Sequence, residues 1–244
     1  MSNSPNSNAN CFNKNIRVAF GNPYAPKFLP ETPPSKFMFP SSPLALSRLL
    51  VGPETKSGVL VPRDIRLSKV QNVIFAAPSQ SLHAVAKMAN NNYGFEVINL
   101  GDALQGEARE VARQQAEQAM QIQNQLSDTD NPVLLLSGGE LTVTKNGNGI
   151  GGPNAEFCLA LAISLDKQIG IFGLAGDTDG VDGAAEIAGA FVTPNTLDDA
   201  EKAGISPQES LTQNDAHSFF EIIANQIITG PTLTNVNDFR AILI

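Results

Sequence analysis

The stretch 134–154 reads LLLSGGELTVTKNGNGIGGPN, and it determines how the rest of the chain is interpreted. Its apolar start is typical of a buried strand and ends in the glycine-rich segment 137–140. Residues 141–144 alternate between apolar and polar side chains, which predicts a short, half-exposed strand. A second glycine-rich segment, 147–152, precedes a predicted helix that begins at Asn154. Glycine lets backbone N–H groups approach a ligand closely, and N–H groups near a helix start suit an anion, so the stretch predicts an anion-binding site.

Composition narrows the class of protein. The 244 residues carry a formal net charge of −8, which argues against general nucleic-acid binding. The two cysteines, Cys11 and Cys158, lie far apart, so a structural zinc site is not expected and a reducing compartment is favoured. No apolar run approaches the ~20 residues of a membrane span, and the polar N-terminus lacks the apolar core of a signal peptide. We therefore expect a cytoplasmic protein with no membrane or nucleic-acid partner.

Hydrophobic patterns predict the order of strands and helices after residue 70. Continuous apolar runs predict strands, and apolar residues spaced at the helical period predict helices. The order strand–helix–strand–helix–strand implies two βαβ units, and hence an α/β fold with a mostly parallel sheet flanked by helices. The predicted strands are 73–77, 95–100, 133–136, 169–175, 188–192 and 239–244, and the predicted helices are 79–91, 107–126, 154–165, 196–203 and one starting at Asp215.

The N-terminal part of the chain follows neither pattern. It is rich in serine and asparagine to about residue 15, and residues 16–68 carry nine prolines. Proline is disfavoured in helix interiors and central strands, so we predict an extended, partly disordered segment over 1–70. The predicted organisation has two further parts, 71–130 and 131–244.

Four polar loops follow apolar strands, at 137–140, 147–154, 177–183 and 229–238. Ligands of open α/β sheets bind beyond the carboxyl ends of the strands, so we predict that these loops share one edge and form a binding site. Ordinary turns use the same residue types, which leaves that alternative open for each loop taken alone. The candidate substrate- and nucleotide-binding residues are Ser137, Gly138, Gly139, Glu140, Gly151, Gly152, Asn154, Asp177, Thr178, Gly180, Thr229, Gly230, Thr232, Thr234, Asn235 and Asn237.

Three aspartates in the 177–183 loop suggest a metal ion. Mg²⁺ takes one or two carboxylates together with waters and phosphates, and Asp177, Asp179 and Asp182 offer such carboxylates. Asp177 and Asp179 are the predicted metal ligands. Hydrogen bonding of these aspartates to their own backbone is an equally weighted alternative. Glu140 is also open to a structural reading, as an acceptor for neighbouring backbone N–H groups.

One glycine pattern suggests a dinucleotide. Gly147, Gly149 and Gly152 fit Gly-x-Gly-x-x-Gly and precede a predicted helix. The strand before them alternates between apolar and polar residues, whereas the first strand of a dinucleotide fold is buried on both faces. Acidic residues after the next strand, Asp177 and Asp179, keep an NAD-linked reductase open as an alternative.

Taken in order, these segments resemble the C-terminal part of the class II glycerate kinases, the MOFRL domain. The matching segments are SGGELTVT, GNGIGG followed by NAE, DTDGVDG, Ala188 to Ala190 and TGPTLTNVND, while GEAREVA resembles the end of the N-terminal domain of the family. The resemblance implies transfer of the ATP γ-phosphoryl group to the 2-hydroxyl of D-glycerate, with Mg²⁺, between two α/β lobes. It assigns 71–130 to a small second lobe and 1–70 to a remnant of that lobe. Asp179 and Asp182 are the candidate catalytic residues.

The chain departs from the family in three ways. Pro153 stands where the family usually has an arginine, which removes a charge suited to phosphoryl oxygens. Leu233 stands where glycine is usual, although leucine resists a positive φ. Residues 1–70 contain no Gly-Lys segment of the kind found in the family's N-terminal lobe. These departures leave a non-catalytic ligand-binding paralogue, or a subunit that works with a second chain supplying the missing lobe, as alternatives to the kinase.

Overall fold

The computed structural model of the chain describes residues 65, 68, 76–127, 129–184 and 186–244. The predictions for 1–70 therefore lie outside the described residues, apart from 65 and 68. So does the predicted strand 73–77, except for Ala76 and Ala77, which belong to no strand.

The described residues form a six-stranded sheet with helices on both faces, which confirms the α/β class. The strands lie in the spatial order β1–β2–β6–β3–β4–β5. The strands are β1 (Glu96–Asn99), β2 (Val133–Gly139), β3 (Phe172–Asp177), β4 (Gly189–Val192), β5 (Gln226–Ile227) and β6 (Asp238–Leu243). The helices are α1 (Pro78–Tyr93), α2 (Ala108–Gln123), α3 (Pro153–Leu165), α4 (Thr196–Ala203), α5 (Pro207–Thr212) and α6 (Ala216–Ile222). None of these helices combines the length and apolarity needed to cross a membrane.

The prediction of a mostly parallel sheet is wrong. Among the described strands only β1 and β2 pair in parallel, and the other four pairings are antiparallel. The main cause is β6, which follows every other strand in the chain yet lies between β2 and β3 and runs opposite to both. An apolar run shows that a strand is buried, but it does not show in which direction the strand pairs.

The larger core lies between the sheet and helices α2, α3, α4 and α6. Helix α3 is at its centre, because its residues 155–162 are all buried and the side chains of Phe157, Leu159 and Leu161 are fully inaccessible. Its first residue is Pro153, which suits a helix start because the N–H it lacks would have no partner within the helix. Helix α1 covers the other face of β1 and β2.

Three local predictions differ from the structure. Strand β2 continues through the predicted 137–140 loop as far as Gly139. Residues 141–144 form no strand, although Thr142 makes an isolated bridge to Glu107. Helix α5 was absent from the sequence-based assignment, despite a clear start at Ser206, whose hydroxyl accepts a hydrogen bond from the backbone of Glu209.

Three of the predicted polar loops, at 147–154, 177–183 and 229–238, lie at the edge of the sheet where β2 ends at Gly139. The strand register places Gly139, Asp238 and Asp177 side by side across β2, β6 and β3. The 147–154 segment reaches the same edge through the start of α3, where the Asn154 amide donates to the Asp238 carboxylate at 2.8 Å. This edge is therefore the candidate functional site.

The predicted boundary between 71–130 and 131–244 falls within the sheet. Strands β1 and β2 lie on either side of it and pair from Glu96 with Val133 to Asn99 with Leu136. The three-part organisation of the chain stays a prediction.

Candidate functional site

Two of the polar loops, 177–183 and 229–237, are joined through Thr178. Its hydroxyl donates to the backbone carbonyl of Asn237 at 2.9 Å. The same hydroxyl accepts from the Val236 N–H at 2.8 Å. The Thr178 side chain thus makes two hydrogen bonds to the backbone of the second loop, which fix the end of that loop against the first.

The same two loops also meet around Asp179. Its backbone carbonyl accepts from the Thr232 N–H at 3.0 Å, and its carboxylate accepts from the Asn235 amide at 3.2 Å. The next residue, Gly180, has a φ of 95°, and a Cβ there would lie 2.2 Å from the carbonyl oxygen of Gly230. A glycine is therefore required for the two loops to come this close.

Asp177 and Asp179 bring two half-buried carboxylates to the end of β3. The Asp177 carboxylate accepts from the Asp179 N–H at 3.0 Å, and the Asp179 carboxylate accepts from the Val181 N–H at 2.8 Å, so the expected local backbone bonding is present. Burial raises the pKa of Asp177 to about 6, and the negative charges of Asp179 and Asp238 add to the rise. Neither Asp177 nor Asp179 forms an ion pair with any described residue.

Two carboxylates without a cationic partner fit a Mg²⁺ ion that is also bound by water and phosphate. They do not fit a metal enclosed by protein ligands, because the described residues contain no group of three or more His, Cys, Asp or Glu side chains placed to hold one. The geometry is therefore compatible with a metal that arrives with a phosphorylated substrate.

Asp182 caps helix α3. It is 1% exposed, and its two carboxylate oxygens accept from the N–H groups of Asn154 at 3.0 Å and Ala155 at 2.8 Å. Burial raises its pKa to about 6, although these donors favour the ionised form. A Cβ at Gly152 would lie 2.4 Å from this carboxylate. The chain's own carboxylate thus occupies the start of α3. The catalytic role of Asp182 and the ligand-binding roles of Gly151, Gly152 and Asn154 stay predictions.

A buried charged network lies beneath the site. The Asp238 carboxylate accepts from the Asn154 amide at 2.8 Å and from the Arg240 guanidinium at 3.1 Å. The same guanidinium donates to the Gly139 carbonyl at 3.2 Å and lies 5.8 Å from the ring centroid of Phe157. Arg240 is 0% exposed, and burial lowers its pKa while the Asp238 charge opposes that shift. The network joins β2, α3 and β6 at the edge where the loops emerge.

The predicted binding residues of the 137–140 segment are part of the sheet. Ser137 is buried and accepts a hydrogen bond from the Gln115 amide at 3.2 Å. The Gly138 N–H donates to the Gly101 carbonyl at 2.8 Å. The Gly138 N–H is thus engaged within the protein. The binding roles of Ser137, Gly138 and Gly139 stay predictions. Glu140 is exposed at the end of the strand.

Two glycines of the Gly-x-Gly-x-x-Gly pattern allow this segment to pack closely against residues 213–215. A Cβ at Gly147 would lie 2.3 Å from the Gln213 carbonyl oxygen, and a Cβ at Gly149 would lie 2.3 Å from the Cβ of Asp215. The Ile150 N–H also donates to the Asp215 carboxylate at 3.0 Å. Because this segment lies against 213–215 and follows no strand, it lacks the context of a dinucleotide-binding turn.

An ion pair that the sequence analysis missed supports this segment. The Glu156 carboxylate, 2% exposed, accepts from the Arg109 guanidinium at 2.7 Å and from the Asn214 amide at 2.9 Å. Both Glu156 and Arg240 are single charges inside otherwise apolar runs. That pattern could have identified them, because a buried charge needs a partner.

Leu233 has a strained backbone at the tip of the 229–237 loop. Its φ is 60°, and its side chain is 98% exposed. Since the side chain buries nothing, we expect Leu233→Gly to raise the free energy of unfolding by up to about 1 kcal/mol, through relief of the left-handed conformation. Urea denaturation would measure this change. Asn237→Gly is the matched control, with a smaller gain expected, because Asn237 has a φ of 61° and asparagine tolerates it. A loss of stability in Leu233→Gly would contradict the assignment of strain.

The comparisons with known proteins agree with this fold and loop arrangement. Residues 133–238 match the model of the MOFRL family, so this part of the chain is a MOFRL domain. Over part of its length the chain is similar to glycerate kinases. It is 35% identical to a D-glycerate 2-kinase of Thermotoga maritima over 153 residues, which cover 63% of this chain and 37% of the relative.

Two further matches have similar coverage. A crystal structure of glycerate kinase from Thermotoga maritima superposes with a TM-score of 0.69 and 32% identity, over 72% of this chain and 42% of that one. A protein of Agrobacterium vitis, named provisionally as a hydroxypyruvate reductase, is 44% identical over 80% of this chain and 43% of its own length. The chain thus spans less than half the length of these relatives.

Proposed function

We propose that the chain is part of a glycerate 2-kinase-type enzyme, which transfers the γ-phosphoryl group of ATP to the 2-hydroxyl of D-glycerate. Kinase names among the relatives support this activity. The observation that carries the proposal is the pair of half-buried carboxylates, Asp177 and Asp179, beside the hydroxyl- and amide-rich 229–237 loop. Their arrangement suits phosphoryl transfer, where catalysis is mostly positioning and charge neutralisation.

In this proposal, the 229–237 loop binds the hydroxy acid and the nucleotide. Thr229, Thr232 and Thr234 are exposed there. The Thr229 and Thr232 hydroxyls donate to the backbone carbonyls of Gly230 and Thr178, so binding of a carboxylate or phosphate oxygen would replace these bonds. Asp177 and Asp179 would bind Mg²⁺, which neutralises charge on the phosphates when bound. Asp179 would also accept the proton of the substrate 2-hydroxyl, because its carboxylate is held toward this loop by Asn235.

An assay of ADP formation with D-glycerate and Mg-ATP tests the proposal. We expect Asp177→Asn to lower the D-glycerate-dependent rate by at least about tenfold, because it removes one of the two charges that face the phosphates. Asp198→Asn is the matched control, since Asp198 is an exposed partner of Lys167 outside the site. Equal rates for Asp177→Asn and the control would contradict the proposal.

Replacing Pro153 by arginine tests whether the guanidinium that the family usually carries at this position contributes to the rate. Pro153 is the first residue of α3. The backbone N–H that arginine would add at this position needs no partner within the helix, so the fold should persist. We expect Pro153→Arg to raise ADP formation by at least about tenfold, because an arginine near the transferred group stabilises its charge. Pro207→Arg, at the first residue of α5, is the matched control and should leave the rate unchanged. Identical rates for Pro153→Arg and wild type would show that this position is not catalytic.

A non-catalytic subunit is the second candidate function. Pro153 and the occupied start of α3 favour it. In that case neither the wild type nor Pro153→Arg forms ADP alone, and activity requires a second chain that supplies the remaining part of the relatives. A small hydroxy acid and a nucleotide remain the proposed ligands, and the cytoplasm the proposed location.

The NAD-linked reductase is a weaker candidate. The names of two Agrobacterium vitis relatives favour it. The packing of Gly147 and Gly149 against 213–215 counts against it. We expect NADH to leave the melting temperature unchanged, whereas a bound dinucleotide would raise it.

A further inference from the structure

Two Asn-Gly bonds lie in the segment that joins β2 to α3, at Asn146-Gly147 and Asn148-Gly149. Asn-Gly is the sequence most prone to spontaneous deamidation, because glycine has no side chain to hinder attack by its own nitrogen. That nitrogen attacks the asparagine side-chain carbonyl carbon. A new C–N bond forms as the glycine nitrogen loses its proton, the bond between the side-chain carbonyl carbon and its NH2 group breaks, and the NH2 group takes up a proton and leaves as ammonia. Water then opens the resulting succinimide to aspartate or isoaspartate.

Packing makes both glycines obligatory. A Cβ at Gly147 would lie 2.3 Å from the Gln213 carbonyl oxygen and 2.4 Å from its Cα. A Cβ at Gly149 would lie 2.3 Å from the Cβ of Asp215 and 2.6 Å from its Cα. Contacts this short cannot be relieved by a rotamer change, because most of the atoms belong to the backbone. Replacement of either glycine by a residue that slows deamidation of the preceding asparagine would therefore disrupt the packing.

The structure engages both attacking nitrogens in hydrogen bonds. The Gly147 N–H donates to the side-chain oxygen of Asn214 at 2.9 Å, and the same oxygen accepts from the Asn146 N–H at 2.8 Å. The Gly149 N–H donates to the backbone carbonyl of Gln213 at 2.9 Å. A hydrogen-bonded N–H is harder to deprotonate and is not free to turn toward the side chain that precedes it.

The two asparagine residues are themselves exposed to water. Asn146 and Asn148 are exposed, whereas their glycine neighbours are partly buried. Water for the ring-opening step is thus available at both sites. The step that the fold restrains is the attack by the glycine nitrogen.

We infer that Asn146 and Asn148 are deamidation sites whose reaction is controlled by the contact with 213–214. At Asn146 the controlling group is the Asn214 side chain, and at Asn148 it is a main-chain carbonyl. The reaction proceeds only when the contact opens locally. Each event replaces an amide by a carboxylate, and the isoaspartate product adds a methylene to the backbone next to a packed glycine.

Peptide mapping by mass spectrometry during incubation in mildly alkaline buffer tests this inference. In the folded wild type we expect both sites to react at least about tenfold more slowly than in the same chain in urea, because the opening must first break these hydrogen bonds. Asn214→Gly removes the side-chain acceptor and tolerates the φ of 54° at this position. It should raise the rate at Asn146 about tenfold more than the rate at Asn148.

Asn148 thus serves as the internal control within the same variant. Gln213→Ala is the matched second control, because it keeps both acceptors and should leave both rates at the wild-type level. An unchanged Asn146 rate in a folded Asn214→Gly variant would overturn the inference. Should that variant unfold, the wild-type comparison decides: equal rates with and without urea would overturn the inference, and slower folded rates at both sites would support it.

Discussion

Replacing Arg240 by methionine is expected to lower the free energy of unfolding by about 3–5 kcal/mol, measured by urea denaturation. The guanidinium is fully buried and donates both to the Asp238 carboxylate and to the Gly139 carbonyl. Methionine fills similar space but leaves a buried carboxylate with only the Asn154 amide as a side-chain donor. The cost is large because an unpaired buried charge keeps the full penalty of its removal from water.

Arg113→Met is the matched control. Arg113 also forms ion pairs, with Glu110 and Glu117, but all three side chains are more than half exposed. We expect a change within about 0.5 kcal/mol, as is usual for exposed ion pairs. The double variant Arg240→Met with Asp238→Asn should recover part of the loss, because no unpaired charge then remains. A loss below about 1 kcal/mol in Arg240→Met would show that the network contributes little to stability.

Gly139→Ala is expected to be at least about 2 kcal/mol more destabilising than Gly94→Ala. Both glycines have a positive φ, 108° and 70°, so both variants carry backbone strain. A Cβ at Gly139 would also lie 2.3 Å from the Leu104 carbonyl oxygen, whereas a Cβ at Gly94 meets nothing within 4 Å. The difference between the two variants therefore isolates the steric clash.

Thermal and urea denaturation of both variants would measure this difference. Circular dichroism at low temperature should show that Gly94→Ala keeps the wild-type fold. If the two glycine variants lose equal stability, the close approach of β2 to the 101–104 segment is not required by the fold.

The sequence predicts the position of the candidate site better than the pairing of the strands. Apolar runs that end in Gly, Thr, Asn and Asp place the strand ends, and the strand register brings those ends to one edge. The same runs carry no information on strand direction, which is why β6 was not expected between β2 and β3. The residue at which a strand ends is determined by its neighbours in the sequence, whereas strand pairing is determined by contacts between distant segments.

The same distinction applies to the site residues. Thr178 and Asp179 lie where expected, because turn residues after a buried strand are recognisable locally. The capping by Asp182 and the contacts of Asn214 and Arg240 depend on residues 28 to 101 positions away. No short-range pattern encodes such pairs, although a single charge in an apolar run shows that a partner must exist.

The position of β6 has a consequence for synthesis on the ribosome. Strands β2 and β3 emerge before β6, yet they share no hydrogen bonds with each other and need residues 238–243 between them. Their facing edges therefore stay unpaired while some sixty further residues are translated. During that interval the nascent chain exposes two apolar strand edges, which are templates for aggregation, so recovery of native protein should depend on chaperones that cover them until translation has passed Leu243.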